Sequence, residues 1–220
     1  MYKIKILLII HIIIIMSCSN QQLFNYYPLK SAYELKWENI TPQQYDYTCG
    51  AAALSTLIYG YFGEYISEKK IINQLIRNLN PKDIDKVKKQ GFNMLHLKYV
   101  AEYFGYDAVG VKIDIDTLYR LKGPVIIVLQ RSNGNHYVVF KNIVKDRVFI
   151  ADSISGNYIM TTSYLSSVWD GITLILGKKG AGLIDEYKMK ISEEYKKEPA
   201  PQLYQVRRYN KSAPRNIINK

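Results

Sequence analysis

The stretch that decides the fold is Gln43-Gln44-Tyr45-Asp46-Tyr47-Thr48-Cys49-Gly50-Ala51-Ala52. In it a polar, aromatic loop gives way to small apolar residues. Ala51, Ala52, Leu54, Leu57 and Ile58 then continue at helical spacing toward Tyr61. Cys49 therefore sits in the first turn of a helix. Unpaired N–H groups and the macrodipole favour negative charge there, and only the thiolate of a cysteine attacks a carbonyl. Gly50 allows another backbone or a substrate to approach closely. The plainer reading of the position is a cysteine buried for packing, so the rest of the chain must decide.

On the C-terminal side of this helix, Ser67 to Leu79 reads as a second amphipathic helix with Ile71, Ile72, Leu75 and Ile76 on one face, broken by Asn80-Pro81. Asn93 caps a third, running through Phe104 and ended by Gly105. The period then changes to that of strands. Ala108–Ile113, Pro124–Leu129, His136–Phe140, Val148–Ala151 and Ile172–Leu176 are runs of strand length, with turns at Ser132-Asn133-Gly134-Asn135 and Ser155-Gly156-Asn157. Helices first and strands second predict an α+β fold, N-terminal helices packed on one antiparallel sheet.

A thiolate needs a base, and the chain holds three histidines. His11 lies in the apolar leader. His96 falls in the third helix and is most simply a helix-surface residue. His136 opens a strand after a glycine-containing turn, where it can project from the sheet toward a helix start. An imidazole base is held in one tautomer by a third group. Asp152 ends the next strand, sixteen residues after His136, and a hairpin would set the two side by side. Read blandly, His136 is a satisfied neighbour of a core strand and Asp152 a turn residue. The developing oxyanion needs donors. The Cys49 N–H is one, and Gln43 or Gln44 qualifies for the other, each being otherwise a solvated loop residue.

Taken together, the Gln43–Ala52 segment, His136-Tyr137-Val138-Val139 and Val148-Phe149-Ile150-Ala151-Asp152 resemble the C39 family of bacteriocin-processing, double-glycine peptidases. The likeness is strongest to a stand-alone, secreted branch and spans roughly Ile40 to Leu176, including the segment around Trp169. It implies a papain-like cysteine peptidase fold and cleavage after a Gly-Gly pair in a leader peptide. Carried over by position, Cys49 is the nucleophile, His136 the base, Asp152 its orienter and Gln43 the oxyanion donor. Transporter-fused members have Asp before the cysteine and usually Pro after the orienting Asp. This chain has Thr48 and Ser153. No cofactor or metal is expected, and the partner is a peptide with a Gly-Gly site.

The N-terminus predicts where this chemistry takes place. Lys3 and Lys5 precede an aliphatic run from Ile6 to Met16, which is too short for a mature membrane span and reads as a signal peptide over residues 1–17. A transmembrane anchor is the alternative. Ile15-Met16-Ser17-Cys18 resembles the lipobox of bacterial lipoproteins, which implies cleavage before Cys18 and acylation of that residue. Several acyl chains at about 0.8 kcal/mol per buried CH₂ hold a protein firmly to a membrane. Residues 18–39 then read as a lipidated tether, 40–177 as the peptidase domain and 178–220 as a basic, partly disordered tail. The expected location is the bacterial cell envelope, facing the periplasm in a Gram-negative cell, beside export machinery. A Cys18–Cys49 disulfide is the bland alternative for a secreted chain.

Composition agrees with a folded enzyme. Apolar residues make up 48% and charged residues 22% of the 220, which is globular rather than disordered. The formal charge is +11, and the segment from Lys178 onward carries eleven Lys/Arg against five Asp/Glu. The excess lacks the Arg-rich, aromatic-interleaved stripe of a nucleic-acid surface, so no nucleic-acid partner is expected. An anionic membrane or envelope polymer suits it better. Within the tail, Ile184–Lys197 is compatible with a short helix, and residues past Lys197 are expected to be dispensable. Two other functions fit the same residues. One is a peptidoglycan amidase using the same Cys-His pair, although its usual Asp-Cys-Ser signature is absent. The other is a non-catalytic lipoprotein that holds Gly-rich peptides.

Overall fold

The computed structural model describes residues 30–77, 79–132 and 134–191. The predicted signal peptide, Cys18 and everything beyond Ile191 lie outside the described residues. The elements are α1 Ala32–Trp37, α2 Cys49–Leu57, α3 Glu68–Arg77, α4 Pro81–Gln90, α5 Met94–Tyr103, β1 Asp107–Lys112, α6 Ile115–Arg120, β2 Val125–Arg131, β3 Gly134–Val144, β4 Arg147–Asp152, β5 Gly156–Thr161, α7 Thr162–Val168 and β6 Trp169–Gly177. The strands form a single six-stranded sheet in the order β1-β6-β2-β3-β4-β5, every neighbouring pair antiparallel.

Strand alternation splits the core between the two faces of this sheet. Ile126, Val128, Tyr137, Val139 and Ala151 point toward α2 to α5 and pack with Leu54, Leu57, Ile71, Leu75 and Leu97. Ile127, Leu129, Val138, Phe140 and Ile150 point the other way, against Leu118 of α6 and Leu165 of α7. The α+β expectation holds, with helices on both faces. α2 is buried along almost its whole length, which is why its apolar residues show so little polar alternation. Its last turn widens into a π-helical turn, Ile58–Phe62, which Gly63 ends in the left-handed region at φ 75°.

Several elements depart from the sequence reading. Asn80-Pro81 does not simply break a helix. Asn80 is the N-cap of α4, its side chain accepting from the Asp83 N–H at 3.0 Å, and Pro81 occupies the first helical position. The supposed turn around Gly156 opens a further strand, β5, and Thr161 caps the short α7 behind it. α6 was not anticipated either. It is six residues long and is defined by the Asp114 cap. The end of the predicted tether is ordered. Ser31 and Glu34 form a capping box that starts α1, and Asn157 of β5 donates to the Leu35 and Glu38 carbonyls at 3.1 and 3.0 Å.

The C-terminal segment also differs. Ile184–Lys190 contains no helix, and it is not a free tail. Met189 and Ile191 are buried, and the Met189 N–H donates to the Gly60 carbonyl at 3.2 Å. A Cβ on Gly60 would lie 2.0 Å from the Met189 methyl. The absence of a side chain at that point of the π-turn is what lets the segment dock.

Candidate active site

The site forms where the N-terminus of α2 meets the ends of β3 and β4. Arg131 lies two residues beyond Leu129 on β2, His136 two before Val138 on β3, and Asp152 two beyond Ile150 on β4. Period-two alternation puts these three side chains on the α6 and α7 face of the sheet, but at the strand ends, where His136 also comes near Cys49 at the start of α2. The register aligns Leu129 with His136 and, across the next pair, Val139 with Ala151. Strand order therefore places His136 between the ends of its neighbours.

His136 Nε2 lies 3.0 Å from Asp152 Oδ1. This is ion-pair distance, although the ring N–H is not aimed along the line. Asp152 is 0 % exposed. Its Oδ1 also accepts the backbone N–H groups of Ile154 at 2.8 Å and Ser155 at 3.2 Å, and its Oδ2 meets Arg131 Nη2 at 3.0 Å. Burial pushes this carboxyl up, but His136, the Ile154 N–H and Arg131 outweigh it and lower its pKa to about 2. Asp152 is thus an anion throughout the physiological range.

With Nε2 turned to Asp152, the imidazole is left with Nδ1 for the thiol, and His136 is close enough to Cys49 for each to shift the other's pKa. Burial drives the Cys49 pKa up. The His136 contact, the Tyr137 and Gly50 backbone N–H groups and the imidazolium charge reverse this, and the net shift is downward. Burial drives His136 down, while Asp152 and Cys49 raise it and Arg131 opposes them, for a net shift upward. A thiol made more acidic beside a more basic imidazole favours the thiolate–imidazolium pair. Gly50 serves packing rather than substrate access. A Cβ there would lie 3.0 Å from a Leu97 methyl and 3.4 Å from the Tyr137 ring.

The loop before Cys49 is tied at three points. Gln43 N–H donates to the Ser153 carbonyl at 3.0 Å, and its Oε1 accepts from Ser153 Oγ at 3.1 Å. Its Nε2 donates to the Tyr45 carbonyl at 2.9 Å, which leaves one amide hydrogen uncommitted. Gln44 is exposed, and its N–H goes to Glu68 Oε2 at 3.0 Å. Glu68 is itself buried and also accepts from the Thr48 hydroxyl, directly before Cys49. Burial raises the Glu68 pKa, and the Thr48 and Gln44 hydrogen bonds only partly offset this.

A cleft of about 360 Å³ opens on Cys49, walled by Val87, Gly91, Phe92, His96, Asn135 and Tyr137. His96 is therefore a cleft residue and not merely a helix-surface one. Asn93 Oδ1 accepts the His96 N–H at 2.9 Å, and Nδ1 of the ring accepts the Asn93 N–H at 3.2 Å. That accepted bond assigns the proton of the neutral ring to Nε2. Burial holds His96 below the usual imidazole range, Asp83 opposing and Lys86 adding to the effect. Gln43 is not among the residues walling this cleft. It stands on the Asp152 side of the site.

Sequence reasoning missed Glu68, Arg131 and the wall made by α4. Glu68 carried a faint signal as the acid that opens an amphipathic helix. Arg131 carried another, as a cation ending an otherwise apolar strand.

Residues 37–181 match the model of the Peptidase C39 family. The chain belongs to the peptidase C39 family. Among its relatives is the "Probable functional amyloid protease FapD" of Pseudomonas fluorescens, 34% identical over 71% of this chain and 70% of that one. The protein of the same name from Pseudomonas aeruginosa is 28% identical over 70% of this chain and 67% of its own. Among solved structures, the peptidase domain of Streptococcus ComA, a bifunctional ABC transporter involved in quorum sensing, superposes with a TM-score of 0.54 at 21% identity. The match covers 65% of this chain and 99% of that one. At that identity the likeness bears on the fold, which is that of a C39 peptidase domain, and membership of the family makes the protein a peptidase.

Proposed function

We propose that the protein is a thiol endopeptidase that cleaves after a Gly-Gly pair in an exported or leader peptide, with Cys49 as nucleophile and His136 as base. The observation that carries the reading is the cluster of a half-buried Cys49 with the buried His136 and Asp152, the ring Nε2 lying 3.0 Å from an ionised carboxylate. The thiolate sulfur attacks the carbonyl carbon of the second glycine. The oxyanion takes the Cys49 N–H and the uncommitted amide hydrogen of Gln43. His136 gives its proton to the leaving amine as the thioester forms. It then takes one from the water that hydrolyses the thioester and returns it to the sulfur as the acid leaves. Asp152 holds the tautomer and stabilises the imidazolium. Gln43 suits the amide role better than Gln44, because Ser153 fixes it beside Asp152 whereas the Gln44 side chain is exposed.

Phe92 and Tyr137 flank the cleft at Cys49, and aromatic walls beside the nucleophile favour residues without a Cβ. The Pseudomonas relatives are named as proteases of functional amyloid, which supports an exported polypeptide as substrate in preference to a bacteriocin precursor. An acylated Cys18 would hold the enzyme at the envelope, in reach of such cargo. The test is a fluorogenic peptide ending in Gly-Gly before the reporter. Wild type should cleave it, and Cys49→Ala should not. Cleavage that survives in Cys49→Ala would reject the thiol mechanism. Cleavage of wall peptides but not of Gly-Gly peptides would move the protein to the amidase class.

A further inference from the structure

The Asp152 carboxylate is held on both oxygens, and only one of them serves His136. Its outer oxygen, Oδ2, is met by Arg131 Nη2 at 3.0 Å, with the guanidinium side chain 23 % exposed. Arg131 comes from β2, while Asp152 is on β4, and β3, which bears His136, runs between them. The guanidinium thus reaches across the histidine strand. Tyr158 of β5 lies close to it, so side chains of four neighbouring strands gather around one buried carboxylate. A planar, permanently charged fork suits this task better than an ammonium group.

We propose that Arg131 is a positioning residue of the active site: it clamps the outer oxygen of Asp152 so that the inner one faces His136, and its charge balances the carboxylate. This rests on the thiol-peptidase reading above. With the thiolate–imidazolium pair formed, Cys49, His136, Asp152 and Arg131 sum to zero charge. Without Arg131 the buried group would be net negative, and the oxyanion formed in the reaction would develop against that charge. The groups facing the cluster are few. α2 contributes Cys49, β3 contributes His136 and Tyr137, and β5 contributes Tyr158, with Tyr164 of α7 beside it. Neither Tyr137, pushed up to about 12 by its burial, nor Tyr158, raised still further by its own, titrates where the thiol and imidazole do.

Alkylation of Cys49 by iodoacetamide, followed with pH on the full-length protein, reads the site without a substrate. The wild type should show two steps. The lower marks formation of the thiolate–imidazolium pair, and the upper marks loss of the imidazolium proton. Arg131→Gln should move the upper step to higher pH, since it removes a cation that disfavours the imidazolium. It should also cut peptide cleavage on the order of tenfold, the scale seen when groups that orient a functional side chain are removed. Arg131→Lys keeps the charge but not the fork, so the step should stay near wild type while cleavage falls. An upper step and a cleavage rate unmoved in Arg131→Gln, with only the melting temperature lowered, would make the pair a structural bridge and overturn the inference. If Arg131→Gln does not fold, Arg131→Lys decides, and full wild-type cleavage there would overturn the clamp. Wild type showing one step at the ordinary thiol position would instead bring down the thiol-peptidase reading itself.

Discussion

Ser153 and Gln43 are joined twice, by the Gln43 N–H to the Ser153 carbonyl at 3.0 Å and by the Ser153 hydroxyl to Gln43 Oε1 at 3.1 Å. Ser153, the residue after Asp152, thereby holds the proposed oxyanion amide and ties the loop before Cys49 to the end of β4. Transporter-fused relatives usually have Pro after that Asp, with no hydroxyl to offer. Gln43→Ala should therefore lower kcat on the order of 10²–10³ with little change in KM, as for other side-chain oxyanion donors. Ser153→Ala should lower it less. Steady-state kinetics on the Gly-Gly peptide separates the two, and a Gln43→Ala effect confined to KM would remove Gln43 from the oxyanion hole.

Cys49→Ala and His136→Ala should each abolish measurable turnover, and the double variant should be no worse than either, because the pair acts as one unit. Asp152→Asn should keep part of the rate, since it perturbs orientation and not bond formation. Additive losses in single-turnover assays would mean that the two residues do not form one reacting unit.

Stability should fall on the acid side through Asp152. Its folded pKa of about 2 lies below its ordinary value of 3.8, so its contribution is present above the unfolded value and is lost as pH falls through the folded one. Integrated over that window it amounts to about 2 kcal/mol. His136 is shifted upward. Its contribution is complete below the ordinary imidazole pKa and is lost as pH rises through the folded one. Urea titrations should show the acid loss in wild type and a shallower one in Asp152→Asn. Parallel curves for the two proteins would refute the assignment.

Glu68 anchors the entry to α2 through the Gln44 N–H and the Thr48 hydroxyl. Glu68→Ala would leave the Gln44 N–H and Thr48 hydroxyl without that partner and should destabilise the fold by about 1–3 kcal/mol. Glu68→Gln retains one acceptor and should cost less. Denaturant midpoints decide the order, and an unchanged midpoint in Glu68→Ala would show that the loop does not depend on this carboxylate.

The segment after β6 divides into a docked part and the rest. Met189→Ala should cost about 2–4 kcal/mol as a buried large-to-small change. Truncation after Lys197 should leave cleavage intact. Thermal melts of the two proteins test this directly. A truncated protein that folds but does not cleave would give the distal residues a role in catalysis.

The local periods of the sequence were enough for α2, α5 and the strand pair that brings His136 to Asp152. The hydrophobic alternation, the Asn93 cap and the glycine-marked turn are local, and helices and hairpins respond to local signals. The Asn80-Pro81 pair was legible only as punctuation. A cap and a break use the same residues, and whether a helix follows depends on Val87 finding the core. The same is true of β5, whose start resembles a turn and which becomes a strand by pairing with β4.

The chemistry-bearing residues were visible one at a time in the sequence, while their partners were not. Arg131 reaches Asp152 across an intervening strand, Glu68 reaches Thr48 twenty residues back, and Ser153 reaches Gln43 over 110 residues. Such contacts follow from strand order and helix packing, which no local period encodes. The sequence by itself determined which groups could do thiol chemistry and on which elements they stand. Only the tertiary structure decided which charges and hydrogen bonds surround them, because burial and long-range proximity are properties of the assembled core.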